Sequence, residues 1–301
     1  MNTTSLLRTN RLCLAVTGMT PSEVLSLAPT FESCLVQRKY QVRPKELWLR
    51  KLGGGQKGAL PTSLDKLVFI LMYLKIYPTF DVLAFSTNRH RSKAHRSVVQ
   101  LLPVLELALG RRLVLPERKI TSIEELKRKF PGLKELFIDG TERRIERPTS
   151  LKRRKKLYSG KKKATTRKTN VVSDEHKRIL VVTPTKSGRR HDKRLLDKTH
   201  LVEHIPPEVA IWTDNGFQGI QHQHPNTVMP VKATKKRPLT EEQRQSNRTI
   251  AGIRVISEHA IGGMKRLKAA ADVYRNRLPN LDDTFTLLAA GIWNFHLQQT
   301  S

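Results

Sequence analysis

The 301-residue chain carries 56 Lys and Arg against 26 Asp and Glu, a formal net charge of +30. That excess is larger than solubility requires and points to a polyanionic partner, most simply nucleic acid, while a hydrophobic content of 38% in discrete apolar segments excludes a disordered chain. Two cysteines without paired spacing, Cys13 and Cys34, exclude a disulfide framework and a cysteine zinc site, and the longest clean apolar run, Leu67–Leu74, is too short to cross a bilayer.

The N-terminus places two Arg before a weak apolar patch broken by Thr17 and Gly18, which is a poor signal peptide, so a cytoplasmic protein with no membrane association is expected. Residues 20–115 read as helical: a Pro-Ser start near 21, Ser63 as an N-cap for an apolar helix that stops before Pro78, then a short helix, a polar turn and a longer basic helix ending near Gly110. Short helix, turn and basic helix is the layout of a helix-turn-helix DNA reader, and a plain bundle with a solvated basic face has the same pattern. In the first reading Arg89, Arg91, Lys93 and Arg96 face DNA, Val98, Val99, Leu101 and Leu102 turn inward, and Pro103 limits the helix.

Residues 116–130 read as a connector with a small helix. From 131 to 301 the texture is α/β. "KELFIDGT" is a buried strand, "KTNVVSD" and "ILVVTPTKSG" flank a hairpin turn, and "HDKRLLDKTHLVEHI" is helical. "EVAIWTDNGF" is a strand running into a turn and "NTVMPVKA" another short strand. A long helix spans roughly "EEQRQ" to "DVYR", with Gly262–Gly263 as a point of irregularity, and an apolar helix from Leu281 closes the chain.

Two of those strands end alike, with Asp139 after "LFI" and Asp214 after "AIWT", each followed by a Gly-containing turn where a ligand can come close. A third acid, Glu258, shares a helical face with Arg254 and Lys265, while Ile253, Ile256, Ala260, Met264 and Leu267 can pack inward. Three such carboxylates suit two Mg²⁺ ions in phosphodiester chemistry; turn capping and surface ion pairing are the plainer alternatives. Between the first and second acids runs a dense basic stretch, Lys152, Arg153, Arg154, Lys155, Lys156, then Lys161, Lys162, Lys163. It reads as a phosphate-holding surface close to Asp139, against a solvated loop. "HDK" at His191–Lys193 reads as a helix start near the site, with Asp192 supporting it. The "HQH" at His222–His224 reads as a surface loop, and Trp212 and Trp293 as core.

The segments "FIDGTERRIERP", "YSGKKKATTRKTNVV", "SGRRHDKRLL", "TDNGFQG" and "RVISEHAIGGMKRLK" stand in the order found in DDE transposases of bacterial insertion sequences, especially the insertion-sequence-five type, which the chain resembles from about Leu64 to Asn294. The resemblance implies an α/β fold with an RNase H-like catalytic core, a mixed sheet with flanking helices, preceded by an all-α helix-turn-helix-like domain (1–115 helical, 116–130 connector, 131–301 catalytic). It implies Asp139, Asp214 and Glu258 as catalytic metal ligands for two Mg²⁺ ions, with Mn²⁺ able to substitute, and Arg254 and Lys265 as contacts to DNA ends. The implied activity is hydrolysis at the terminal inverted repeats followed by strand transfer, with double-stranded DNA as partner, a homodimer or higher multimer on DNA, and a nucleoid-associated, bacterial setting. Two positions depart from the family pattern. A His common after "YSGKKK" is replaced in "ATTRK", and a Tyr often three residues before the Arg is Ala251. Those departures leave open a non-catalytic DNA-binding relative; an RNA-binding protein would leave the three acids unexplained.

Overall fold

A computed structural model describes residues 2–42, 58–234 and 237–300. In chain order the helices α1 (Thr3–Leu6), α2 (Asn10–Thr17), α3 (Pro21–Val42), α4 (Ser63–Ile76), α5 (Phe80–Ser86), α6 (Arg91–Arg111) and α7 (Ile123–Lys129) precede the first strand. Then come β1 (Glu135–Arg144), α8 (Leu151–Leu157), β2 (Tyr158–Ser159), β3 (Ala164–Ser173), β4 (Ile179–Val182), β5 (Lys186–Ser187), α9 (Asp192–Asp197), β6 (Ala210–Thr213) and β7 (Thr227–Val228). Three helices close the chain: α10 (Glu241–Lys265), α11 (Lys268–Ala271) and α12 (Leu281–Thr300).

The residues group into two compact units, one of 1–115, 265–272 and 284–301 and the other of 116–264 and 273–283. The first is all helix. α4 has no polar face over Leu67–Leu74, every one of which is buried, so it forms the centre of the bundle. Its start is set by a capping box, in which Thr62 accepts from the Asp65 N–H and Asp65 from the Thr62 N–H. α12 completes this unit: Phe285 packs edge-on against Tyr73 and Tyr77, Asn294 donates to the Val114 carbonyl at 2.9 Å, and His296 meets Glu23 at 2.6 Å. The last helix therefore belongs to the helical bundle, whereas reading the chain in order assigns it to the α/β part.

This packing has a measurable consequence. A chain cut after Glu117 loses Phe285, Leu288 and Phe295, all fully buried, and each buried aromatic alone is worth ~3–5 kcal/mol. Because a whole domain is stable by only ~5–15 kcal/mol, the fragment is expected to show no cooperative thermal unfolding. A sharp transition like that of the full chain would show that α12 is dispensable.

α6 runs through Pro103 to Arg111. The helix interruption expected at Pro103 is absent because Val99, Gln100 and Pro103 face solvent, where the carbonyl left without a donor can take water. Val99 is accordingly 41% exposed, not turned inward, while Val98, Leu101 and Leu102 are buried. Cys13 and Cys34 are buried free thiols. Among the described residues no helix is long and apolar enough to cross a membrane.

The second unit is built on a curled mixed sheet with flanking helices, seven-stranded among the described residues, in the order β2-β3-β1-β6-β7 with β4 and β5 also on β3. β1 is the central strand: it pairs antiparallel with β3 over eight positions, and parallel with β6, where Phe137 faces Trp212 and Ile138 faces Thr213. Ile138, Val172, Leu196, Ile211, Phe217 and Ile220 pack into one core. Two helices are shorter than the periodicity suggests. α9 stops at Asp197 and only a 3₁₀ turn follows at Val202–His204. α10 ends at Lys265, passing through Gly262–Gly263 without a break. His224 is buried rather than on a surface loop, with Nε2 3.1 Å from the Pro206 carbonyl.

Candidate active site

The β1–β6 parallel ladder ends at the pair Ile138–Thr213, tied further by the Thr213 hydroxyl donating to the Ile138 carbonyl at 3.1 Å. Asp139 and Asp214 are the next residue on each strand. In-register neighbours on parallel strands point to the same face of the sheet, with strands ~4.8 Å apart, so the two carboxylates come together. Asp139 Oδ1 accepts the Gly140 N–H at 2.7 Å, and Asp214 Oδ1 accepts the Gly216 N–H at 2.8 Å. Asp214 lies in the turn after β6 as expected, but β1 continues past Asp139 to Arg144, because its pairing with β3 extends that far, so Asp139 is mid-strand and not at a strand end. Burial pushes the Asp139 carboxyl above its ordinary value and the Asp214 charge adds to this; the Gly140 N–H and the positive charges of Arg254 and Lys161 oppose them.

A further acid, Asp192, lies against the glycines beside this pair. A Cβ on Gly140 would fall 2.5 Å from Asp192 Oδ1, and one on Gly216 would fall 3.3 Å from Asp192 Oδ2 and 2.9 Å from Asp214 Oδ1. A side chain at Gly140 would collide with the Asp192 carboxylate, and one at Gly216 would meet Asp214 first and Asp192 more loosely, so these carboxylates favour the small residue at both positions. His191 caps α9 and leaves Asp192 as its first residue, which matches the helix start read from "HDK". Asn170, opposite Gly140 in the ladder, donates to the Asp192 carbonyl at 3.1 Å and holds that helix start to β3.

Behind Asp192 lies a buried charge cluster. Lys168 Nζ sits 3.1 Å from Glu142 Oε1, 3.1 Å from Asp192 Oδ1 and 3.2 Å from the Arg190 carbonyl. Glu142 and Lys168 are direct cross-strand partners on β1 and β3, with side chains 5% and 7% exposed. Burial alone would raise the Glu142 carboxyl; hydrogen bonds from Ser159, Thr166 and Lys168 more than reverse this and hold it below its ordinary value. Lys168 carries no local sign of this cluster, because its neighbours on β3 are Thr166, Arg167, Thr169 and Asn170; its burial follows from facing Glu142 across the β1–β3 ladder, where a lysine is buried only if paired.

The other expected site residues are placed as follows. Glu258 is exposed on α10, one turn beyond Arg254, whose charge reaches Asp139. Among the described residues no three His, Cys, Asp or Glu side chains stand at metal-holding geometry, so neither Glu258 nor Asp192 completes a metal-holding trio with Asp139 and Asp214. Lys265 falls in the helical unit. Lys152–Lys156 lie on α8, which buries no residue; all are exposed except the half-buried Arg154, which donates to the Pro148 and Thr149 carbonyls. Lys161, Lys162 and Lys163 are exposed in the turn before β3. In the helical unit Arg91 pairs with Asp81 at 3.4 Å, and Lys93 and Arg96 are exposed. Arg89 is turned inward, its guanidinium 5.6 Å from the Phe69 ring centre.

The donor chemistry fits a hard divalent cation. Asp139, Asp214 and Asp192 are carboxylates, the donor type of such a cation, and Asp192 Oδ1 is buried without a hydrogen bond, meeting Lys168 as an ion pair only; among the described residues no three acids stand at metal-holding geometry.

A family model for DDE superfamily endonucleases matches residues 138–291, which begin one residue before Asp139 and include Asp214 and Glu258. A curated protein of Microchaete diplosiphon described as "Probable transposase for insertion sequence element IS702" is 30% identical over 234 residues, 77% of this chain and 80% of that protein. No solved structure matches the chain.

Proposed function

Because the chain belongs to the DDE superfamily endonucleases, we propose that it is the transposase of an insertion sequence, cutting at the terminal inverted repeats and joining the freed 3′ end to target DNA. The observation that carries this reading is the placement of Asp139 and Asp214 side by side just past the last pair of the parallel β1–β6 ladder, Ile138–Thr213, under the positive charges of Arg254 and Lys161. In the proposed site Asp139, Asp214 and Glu258 hold two Mg²⁺ ions, for which Mn²⁺ can substitute, on an RNase H-like core. Divalent cations held there would supply Lewis acidity toward the attacking and leaving oxygens of a phosphodiester.

The chain's own groups do the rest. The Gly140 and Gly216 amides fix one oxygen of each aspartate, leaving the other free to turn toward a ligand. Lys168 and Asn170 hold Asp192 and the start of α9 beside Gly140 and Gly216. Arg254 and Lys161 attract the scissile phosphate, and the exposed lysines of α8 and the following turn carry the flanking backbone. In this reading Glu258 closes on the pair when DNA lies along α10, since Arg254 on the same helix already acts on Asp139. Lys265, at the end of that helix, is assigned to DNA-end contact. End recognition is assigned to α5 and α6 as a helix-turn-helix-like pair, with Arg91, Lys93 and Arg96 outward; the inward Arg89 supports the fold instead. Two copies of the chain pair the two ends.

The test is cleavage by the full chain of a duplex carrying the element's own end, in Mg²⁺ and in chelator. Cutting at the end that needs the cation is expected. Tight binding of the end without any cutting would favour a non-catalytic DNA-binding relative, and equal treatment of end and random duplex would sink end recognition.

The basic stretch has its own test. Replacing Lys152, Arg153, Lys155 and Lys156 together by Gln should flatten the log–log salt dependence of binding by ~0.9 for each phosphate that is no longer neutralised. A slope equal to that of the unaltered chain would make α8 a solvated surface.

A further inference from the structure

A concavity of about 870 Å³ in the α/β unit opens between α8 and the hairpin of β2 and β3, and Asp139, Asp192 and Asp214 do not line it. Five cations line it: Arg147, Arg154, Lys155, Lys163 and Arg189. Among the described residues no carboxylate lies within ion-pairing distance of any of the five, whereas Lys168 in the same unit holds two. Arg154 is oriented in advance, since its guanidinium is held by the Pro148 and Thr149 carbonyls at 3.1 and 3.0 Å.

Charge alone would describe a surface for duplex backbone. What differs here is that two large apolar side chains, Leu151 and Tyr158, also line the cleft, and they are 67% and 44% exposed. α8 buries none of its residues, so Leu151 is not there to attach the helix to a core, and Tyr158 follows on β2 with its ring left open to solvent. Duplex phosphates gain nothing from a leucine and an aromatic ring; a base taken out of its stack does, and a cleft of this size is in the range for a small ligand, ~300–1,000 Å³. Cations along a groove with an aromatic platform is the composition that holds single strands.

The geometry points to a subsite for an unpaired DNA nucleotide, with the base stacked on Tyr158 beside Leu151 and the flanking phosphates held by the five cations. This rests on the reading of the protein as acting on DNA and names the strand state that the cleft accepts. Strand separation next to a cut is where such a nucleotide would arise.

The experiment compares the full chain on a blunt duplex and on the same duplex with a short single-stranded overhang, in chelator so that nothing is cut. A 2-aminopurine in the overhang reports stacking by its quenching. The overhang is expected to tighten binding by roughly 5- to 100-fold, the range for stacking one base, with quenching on binding. Tyr158→Ala should remove both the gain and the quench while blunt-duplex affinity stays put, and Tyr158→Phe should keep them. Equal affinity for blunt and overhang duplex, or equal weakening of both by Tyr158→Ala, overturns the subsite while leaving DNA binding intact. Binding to neither would overturn the DNA reading itself. Displacement of the overhang by a free deoxynucleoside monophosphate, at concentrations that leave duplex binding unchanged, would assign the cleft to free nucleotides and overturn the strand assignment.

Discussion

Asp139→Asn and Asp214→Asn each lower strand cleavage by at least ~10²-fold with DNA binding nearly unchanged, in the expected outcome. The size follows from what each carboxylate does in the proposed site. Loss of one removes an oxygen donor and the charge that would hold a divalent cation, whereas the cations that grip DNA lie elsewhere, on α8, its following turn and α10. Asn keeps the side-chain carbonyl that can accept from Gly140 or Gly216, so folding is not the variable. Glu258→Gln is expected to fall by a similar factor. Here the outcome separates two arrangements of the same site. If Glu258→Gln cleaves at the unaltered rate while Asp192→Asn does not, the third acid is Asp192, which already touches the space beside both aspartates. Unaltered rates in Asp139→Asn or Asp214→Asn would remove the proposed chemistry altogether.

The largest effect on stability is expected at Lys168. Its ammonium lies between two carboxylates with almost no solvent, so Lys168→Met leaves Glu142 and Asp192 as uncompensated buried charge, at ~3–5 kcal/mol in the unfolding free energy of the α/β unit. The double variant Lys168→Met, Glu142→Gln should recover much of that loss, because the more deeply buried of the two carboxylates is then neutral. Glu142 also gives the pH dependence its sign. Its carboxyl is held below the ordinary value of 4.5, so the folded state binds the proton less readily than the unfolded one. The stabilisation is complete above pH 4.5 and is lost as pH falls through the lower folded value. Urea unfolding across that acid range should therefore show a shallower fall for Glu142→Gln. If Lys168→Met unfolds like the unaltered chain at neutral pH, the cluster is open to water and does not tie α9 to the sheet.

The class of the fold was legible in the sequence by itself, since apolar runs of strand length are local properties, and Asp139 and Asp214 stood out beside two of those runs because a buried strand needs continuous apolar residues. The same holds for α4 with its apolar run Leu67–Leu74, whereas the basic stretch gave no sign that Leu151–Leu157 would form the helix α8. That β1 runs on past Asp139 to Arg144, which leaves that acid mid-strand, was decided by pairing with β3. Everything that depends on which strands become neighbours was decided only by the tertiary structure. Asp139 and Asp214 stand 75 positions apart along the chain, and only the parallel β1–β6 ladder makes them neighbours. Nothing near Asp192 in the chain marks it as the partner of both; that comes from two missing Cβ atoms, on Gly140 and Gly216, which open the space it fills. Lys168 looks like one more cation in a row of ten until strand register sets it opposite Glu142. α12 carries no local sign of joining the N-terminal helices, because its apolar face fits any core, and the rings of Tyr73 and Tyr77 determine which one receives Phe285. Periodicity states that a face will be buried; the face it meets is set by the packing of the whole chain.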